Sequence, residues 1–243
     1  MRYLIDFSYS GQLFNGYQKQ PKLRTVQGEI EKVLTNINNE QVIIYSAGRT
    51  DSKVNALHQK AHFDLKVNLT PYKLKWALNN YLPNDLHINN VYVVADDFHA
   101  RYMVKSKTYE YNISVGCYNP LLRTHVYQYC KTLNVRDMKM AIKYFKGKHD
   151  FTTFSSAEDK RDDKVRTITY AKLRKKRNII TITFKSKGFL KYQVRNMVGL
   201  LIKIGEGKLS YKDVSKLIAK KDRRCAPGTA PAEGLTLISV DYK

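Results

Sequence analysis

The order of hydrophobic periodicities constrains this chain most, because the same order runs twice. Tyr3, Ile5, Phe7 and Tyr9 alternate along a first strand. Thr25 caps a helix whose apolar positions are Val26, Ile30, Val33, Leu34 and Ile37. Val42 to Ala47 reads as a buried strand, and Ala61 to Leu65 as another. Thr70-Pro71 opens a helix with Leu74, Ala77, Leu78 and Tyr81 inward, proline being tolerated at the first helical position. Val91 to Val94 closes the half as a strand. The second half begins with Tyr109, Tyr111, Ile113 and Val115 on one face of a strand. Asn134 then caps a helix with Val135, Met138, Ile142 and Phe145 inward, stopped at Gly147. Val165 to Leu173 and Asn178 to Phe184 make a hairpin over the basic turn Arg174-Lys175-Lys176-Arg177. Helices over Leu190 to Ile204 and Tyr211 to Ala219 follow, and Leu235 to Tyr242 is the last strand.

Each half therefore reads β-α-β-β-α-β, the split βαβ arrangement. The expected fold is α+β, with two similar lobes over residues 1–104 and 105–243, joined near Phe98 to Ser106. The lobes are expected to form a largely antiparallel mixed sheet flanked by helices, leaving a basic cleft between them. Only the element order repeats; the residues do not.

The partner is read from charge. Lys and Arg number 43 against 21 acidic residues, a net charge of +22 spread along the chain. That balance favours a phosphate backbone, because each neutralised phosphate releases counterions. The 18 tyrosines add faces on which unpaired bases stack. Cys117, Cys130 and Cys225 are scattered and odd in number, which fits reduced thiols in a cytoplasmic protein. His58 and His62 lie four apart without accompanying cysteines or carboxylates, so no metal is expected. No signal peptide is visible, and no apolar stretch reaches the ~20 residues of a membrane span. No Walker loop or dinucleotide fingerprint appears, so no cofactor is expected.

The segment Ser46-Ala47-Gly48-Arg49-Thr50-Asp51 leaves its strand at a glycine and presents Arg49 and Asp51. Strand ends that open into loops carry working side chains. An Arg49–Asp51 ion pair would keep the carboxylate ionised; the alternative is a structural turn with a surface ion pair. Tyr109 is either a core tyrosine or a ring that stacks on a base, with a hydroxyl able to move a proton. Arg195, on a helix with an apolar stripe, either partners a buried carboxylate or stays solvated. The turn-rich stretch from Lys220 to Gly234 shapes a wall before the last strand.

These residues resemble the tRNA pseudouridine synthase A family along the whole chain. The resemblance rests on Ala47 to Asp51, Asp96 to Arg101, Lys107 to Tyr111, His149 to Phe154, Val194 to Gly199 and Thr229 to Leu235, six motifs in order. It implies isomerisation of uridine to pseudouridine in the anticodon stem-loop of tRNA, by a cofactor-free homodimer. It implies that Asp51 is the catalytic aspartate, oriented by Arg49. By the same resemblance Tyr109 stacks on the target base, Arg195 meets Asp51 from the other lobe, and the target base leaves its stack. Arg101 and the Arg174 to Arg177 turn would hold phosphates. One departure stands out. After the aspartate the family usually reads Ala-Gly-Val-His, whereas this chain reads Ser52-Lys53-Val54-Asn55. If that glycine holds a positive φ, Lys53 costs roughly 1–2 kcal/mol or reshapes the loop. The departure leaves open the same chemistry on another RNA, such as ribosomal RNA, or a silent RNA-binding protein.

Overall fold

A computed structural model describes residues 1–242. The chain is α+β, and its named strands pair mostly antiparallel. It divides into two compact units: Met1–Lys105 with the segment from Thr236 onward, and Ser106–Leu235.

The first unit follows the expected order: β1 (Arg2–Tyr9), α1 (Val26–Asn38), β2 (Tyr45–Ser46), β3 (Asn55–Asp64), α2 (Pro71–Tyr81) and β4 (Leu86–Val93). β1 lies between β4 and β3, antiparallel to both. Thr25 accepts a hydrogen bond from the Gly28 N–H and Thr70 one from the Lys73 N–H, so both helices start where their caps stand. Asn39 ends α1 in the left-handed region. Ile30, Leu34, Leu74 and Leu78 are fully buried together with Tyr3, Ile5 and Phe7 of β1.

The stretch expected as a buried strand over 42–47 is mostly irregular. Val42 and Ile44 are buried but Ile43 and Tyr45 are half exposed, and only Tyr45 and Ser46 pair with β3, opposite His62 and Ala61. Most of β3 precedes the residues expected for it, because its pairing with β1 continues back to Ala56.

The second unit keeps its helices and the strand order of a split βαβ, with two short strands added. It holds β5 (Ser106–Ser114), β6 (Tyr127–Gln128), α3 (Val135–Ala141), β7 (Gly147–Asp150), β8 (Val165–Lys176), β9 (Ile179–Ser186), α4 (Gln193–Gly205) and α5 (Asp213–Lys220). β5, β9, β8 and β7 run as successive antiparallel neighbours. β10 (Leu235–Asp241) closes the chain. The junction falls one residue from the expected 104/105 boundary, but nearly all of β10 belongs to the first unit. The reason is its pairing: Thr236 and Leu237 lie parallel to Asn55 and Ala56 of β3, and the Tyr242 hydroxyl donates to the Ala100 carbonyl at 2.7 Å.

Candidate active site

Asp51 stands in a loop fixed to the first unit at several points. The Tyr9 hydroxyl and Thr50 Oγ1 share a buried hydrogen bond of 2.8 Å. The Tyr17 N–H donates to the Thr50 carbonyl at 3.1 Å. Gln59 donates from Nε2 to the Gly48 carbonyl at 2.8 Å, and the Ala47 N–H to the Lys60 carbonyl at 2.8 Å. Beyond Asp51 the chain turns: the Asp51 carbonyl accepts from the Val54 N–H at 3.2 Å, and Ser52 Oγ donates to the Phe14 carbonyl at 3.1 Å. The Gly11 N–H donates to Asn55 Oδ1 at 2.9 Å. Gly11 must lack a side chain, since a Cβ there would stand 2.2 Å from the Val54 carbonyl oxygen.

This frame is dry. Burial pushes the Tyr9 hydroxyl up to about 12, against the hydrogen bonds from Thr50 and Gln59. Burial also pushes the Tyr17 hydroxyl far above its ordinary value. The anchored residues Ala47 and Thr50 are buried, whereas Arg49 is exposed and Asp51 partly so. Lys53 holds φ +65°, so the left-handed backbone anticipated for this position is present with lysine in it.

The Asp96 to Arg101 motif is tied to the same unit through His62, which sequence reasoning weighed only as a zinc ligand. His62 Nδ1 accepts from the Ala100 N–H at 3.1 Å. Burial holds that imidazole down at about 4, helped by nearby His99 and Arg2. It therefore stays a neutral acceptor. Arg101 is exposed at the end of this motif.

In the second unit, Tyr109 is 8% exposed, and its ring stands edge-on to Phe189 at 5.4 Å. The next inward residue, Tyr111, donates to the Pro231 carbonyl at 2.8 Å. Arg195 is half buried and donates from Nε to the Ala230 carbonyl at 2.8 Å. Its guanidinium lies 5.0 Å from the centre of the Tyr192 ring, and Tyr192 begins α4 in the left-handed region. Asn196 Oδ1 accepts from Thr229 Oγ1 at 2.7 Å, while its Nδ2 donates to the Phe154 carbonyl at 2.7 Å. Gly199 packs against the same loop; a Cβ there would meet the Gly228 carbonyl oxygen at 1.9 Å. Three of the six motifs are thus fastened to one another around α4. Arg174 to Arg177 form an exposed basic tip, Arg177 turning the hairpin at φ +52°.

The sequence profile of the tRNA pseudouridine synthase family matches residues 7–103 and 141–243. The chain belongs to that family. It is 44% identical over 246 residues to the tRNA pseudouridine synthase A of Streptococcus gordonii, covering 100% of this chain and 99% of the relative. The homologous enzyme of Streptococcus sanguinis matches at the same identity and coverage. Among solved structures, a chain in the crystal structure of a Cbf5-Nop10-Gar1 complex aligns with 95% of this chain and 50% of its own length. That likeness has a TM-score of 0.40 and 12% identity. No described helix is long and apolar enough to cross a membrane.

Tyr9, Tyr17, Gln59 and Gly11 were not singled out as site residues from sequence. Tyr9 was read only as an alternating strand residue; its hydroxyl makes it the buried strut under Thr50.

Proposed function

We propose that the chain isomerises uridine to pseudouridine in the anticodon stem-loop of tRNA, with Asp51 as the catalytic carboxylate. The observation that carries this reading is a part-exposed aspartate on a loop otherwise pinned by buried hydrogen bonds, within a member of this family. A catalytic group must be held within about 0.5 Å of its working geometry, and such anchoring serves that end.

In the proposed reaction Asp51 starts cleavage of the bond between uracil N1 and ribose C1′. The freed uracil turns, C5 bonds to C1′, C5 loses its proton and N1 ends protonated. Atoms and electrons balance within the nucleoside, so no oxidant or group donor enters. Tyr109 stacks on the base, and the exposed Arg49 supplies positive charge beside the carboxylate. Arg195, its Nε fixed on the Ala230 carbonyl, is directed toward the substrate. Arg101 and the Arg174 to Arg177 tip meet phosphates. We further propose a homodimer working in the cytoplasm, a reducing compartment in keeping with the exposed free thiols of Cys117 and Cys130.

The test is tritium release from C5-labelled uridine, using total tRNA and unmodified ribosomal RNA. Wild type should release tritium from tRNA, and Asp51→Asn should release none while still binding RNA. Release from ribosomal RNA alone would move the substrate. Binding without release from either RNA would leave a silent binder. Full activity in both Tyr109→Phe and Tyr109→Leu would remove Tyr109 from the base.

A further inference from the structure

We infer that Lys53 is a specificity-determining residue that binds an RNA phosphate flanking the reacting uridine. This rests on the proposed reaction at Asp51. The Asp51 carbonyl accepts from the Val54 N–H, so Ser52 and Lys53 are the two central residues of a turn. Of these only Lys53 has a positive φ, +65°. That pattern belongs to turns whose third residue is normally glycine. A lysine there is strained by contact between its Cβ and the backbone.

The strain cannot relax. Ser52 Oγ is tied to the Phe14 carbonyl, and Asn55 Oδ1 to the Gly11 N–H. Gly11 also packs close to this turn: a Cβ there would stand 2.7 Å from the Lys53 carbonyl carbon and 2.2 Å from the Val54 carbonyl oxygen. Nor does a contact within the protein offset it. Lys53 is exposed and holds no ion pair among the described residues. In the same unit Lys19 is paired with Glu31 and Lys66 with Glu40.

A lysine kept at a glycine position, with its ammonium in water, calls for an anion from outside. The site's own substrate supplies one. Only Ser52 separates Lys53 from Asp51, so the ammonium reaches the neighbourhood of the carboxylate and no farther. A ribose placed for attack at Asp51 carries its flanking phosphates in that neighbourhood. An ammonium binds phosphate as a point charge. Here it reads the path of the RNA strand through the site rather than the base.

The experiment compares wild type, Lys53→Gly and Lys53→Arg, by steady-state tritium release and by equilibrium filter binding of tRNA across a salt series. Lys53→Gly should unfold at a temperature about 2–4 °C higher, because glycine relieves the turn. It should also bind worse: KM and Kd about three- to tenfold higher, with kcat within twofold of wild type. Its slope of log affinity on log salt should be shallower by about 0.7–0.9, the loss of one phosphate contact. Lys53→Arg keeps the charge and should keep the wild-type slope. Unchanged Kd and salt slope in Lys53→Gly would overturn the inference. So would a Lys53→Arg protein as weak as Lys53→Gly. Filter binding keeps this test separate from the reaction: wild type that binds tRNA but releases no tritium would sink the proposed chemistry, and the slopes would still judge Lys53.

Discussion

Replacing Thr50 by valine removes the oxygen that holds the Tyr9 hydroxyl and leaves the shape of the side chain nearly intact. Tyr9 is 5% exposed and Thr50 8%, and their hydrogen bond is 2.8 Å long. A buried hydroxyl left without its partner costs about 1–3 kcal/mol. Gln59 offers Tyr9 a second partner, so the lower half of that range applies, about 1.5 kcal/mol. Tyr9→Phe removes the other oxygen and should cost about 1 kcal/mol. Replacing both partners together leaves no stranded group and is nearly neutral by comparison. The double variant should therefore lose about 1 kcal/mol rather than about 2.5, a coupling of about 1.5 kcal/mol. Urea unfolding followed by circular dichroism measures all four proteins, with equal m-values required. Additive losses would show that the two hydroxyls stabilise the fold independently and would refute the argument. Activity supplies the second reading. Each single variant should lower kcat about tenfold with little change in KM, because the loop carrying Asp51 shifts. The double variant should regain stability but not rate. Unchanged kcat in all three would refute the claim that Tyr9 positions Asp51.

Gly199→Ala should be strongly destabilising, by about 3 kcal/mol, because its Cβ meets the Gly228 carbonyl oxygen at 1.9 Å; a thermal unfolding midpoint equal to wild type would contradict that packing. The His62 imidazole, held at about 4 when folded against an ordinary 6.5, gives stability that is present above 6.5 and lost as pH falls toward 4, since the unfolded chain takes the proton first. The full displacement is worth about 3 kcal/mol, and water at the neighbouring exposed Tyr45 and part-exposed His99 reduces it to about 1–2 kcal/mol. His62→Gln should flatten the decline of the urea midpoint between pH 7 and pH 4, and an unaltered decline would assign it elsewhere.

What was legible in the sequence is what is local. α1 and α2 begin at Thr25 and Thr70 because a cap and an apolar period agree within one turn of chain. β1 shows its alternation for the same reason. Pairing partners are not local, and there the reading was incomplete. Val42 to Ile44 are as apolar as a strand, but only Tyr45 and Ser46 find a neighbour on β3. β7 has four residues and no clear alternation, so nothing marked it. β10 was read as a strand from its composition; that it joins the first unit follows from contacts with Asn55 and Ala56 that no periodicity encodes. Asp51 was legible because a charged cluster breaks an apolar run, whereas its supports Tyr9 and Gln59 look like ordinary strand residues.

The six motifs divide into residues that hold backbone and residues that face outward, and the first group is larger. Asn196, Thr229, Gly199 and Ala100 spend their polar groups or their smallness on neighbouring chain. Arg49 and Arg101 face solvent. A surface loop that must carry a carboxylate in one place needs several independent ties, since each alone is weak. Six other non-glycine residues have positive φ: Asn39 and Lys221 end helices, Tyr192 begins one, Arg177 turns a hairpin, and Lys22 and Cys130 lie in turns and loops. Between Ala47 and Asn55 only Lys53 has that conformation, without a helix end or strand pair to require a lysine. Conflicts between local preference and fold concentrate at working sites. In the loop from Ala47 to Asn55 that conflict falls at Lys53, two positions after Asp51, where the proposed phosphate contact is placed.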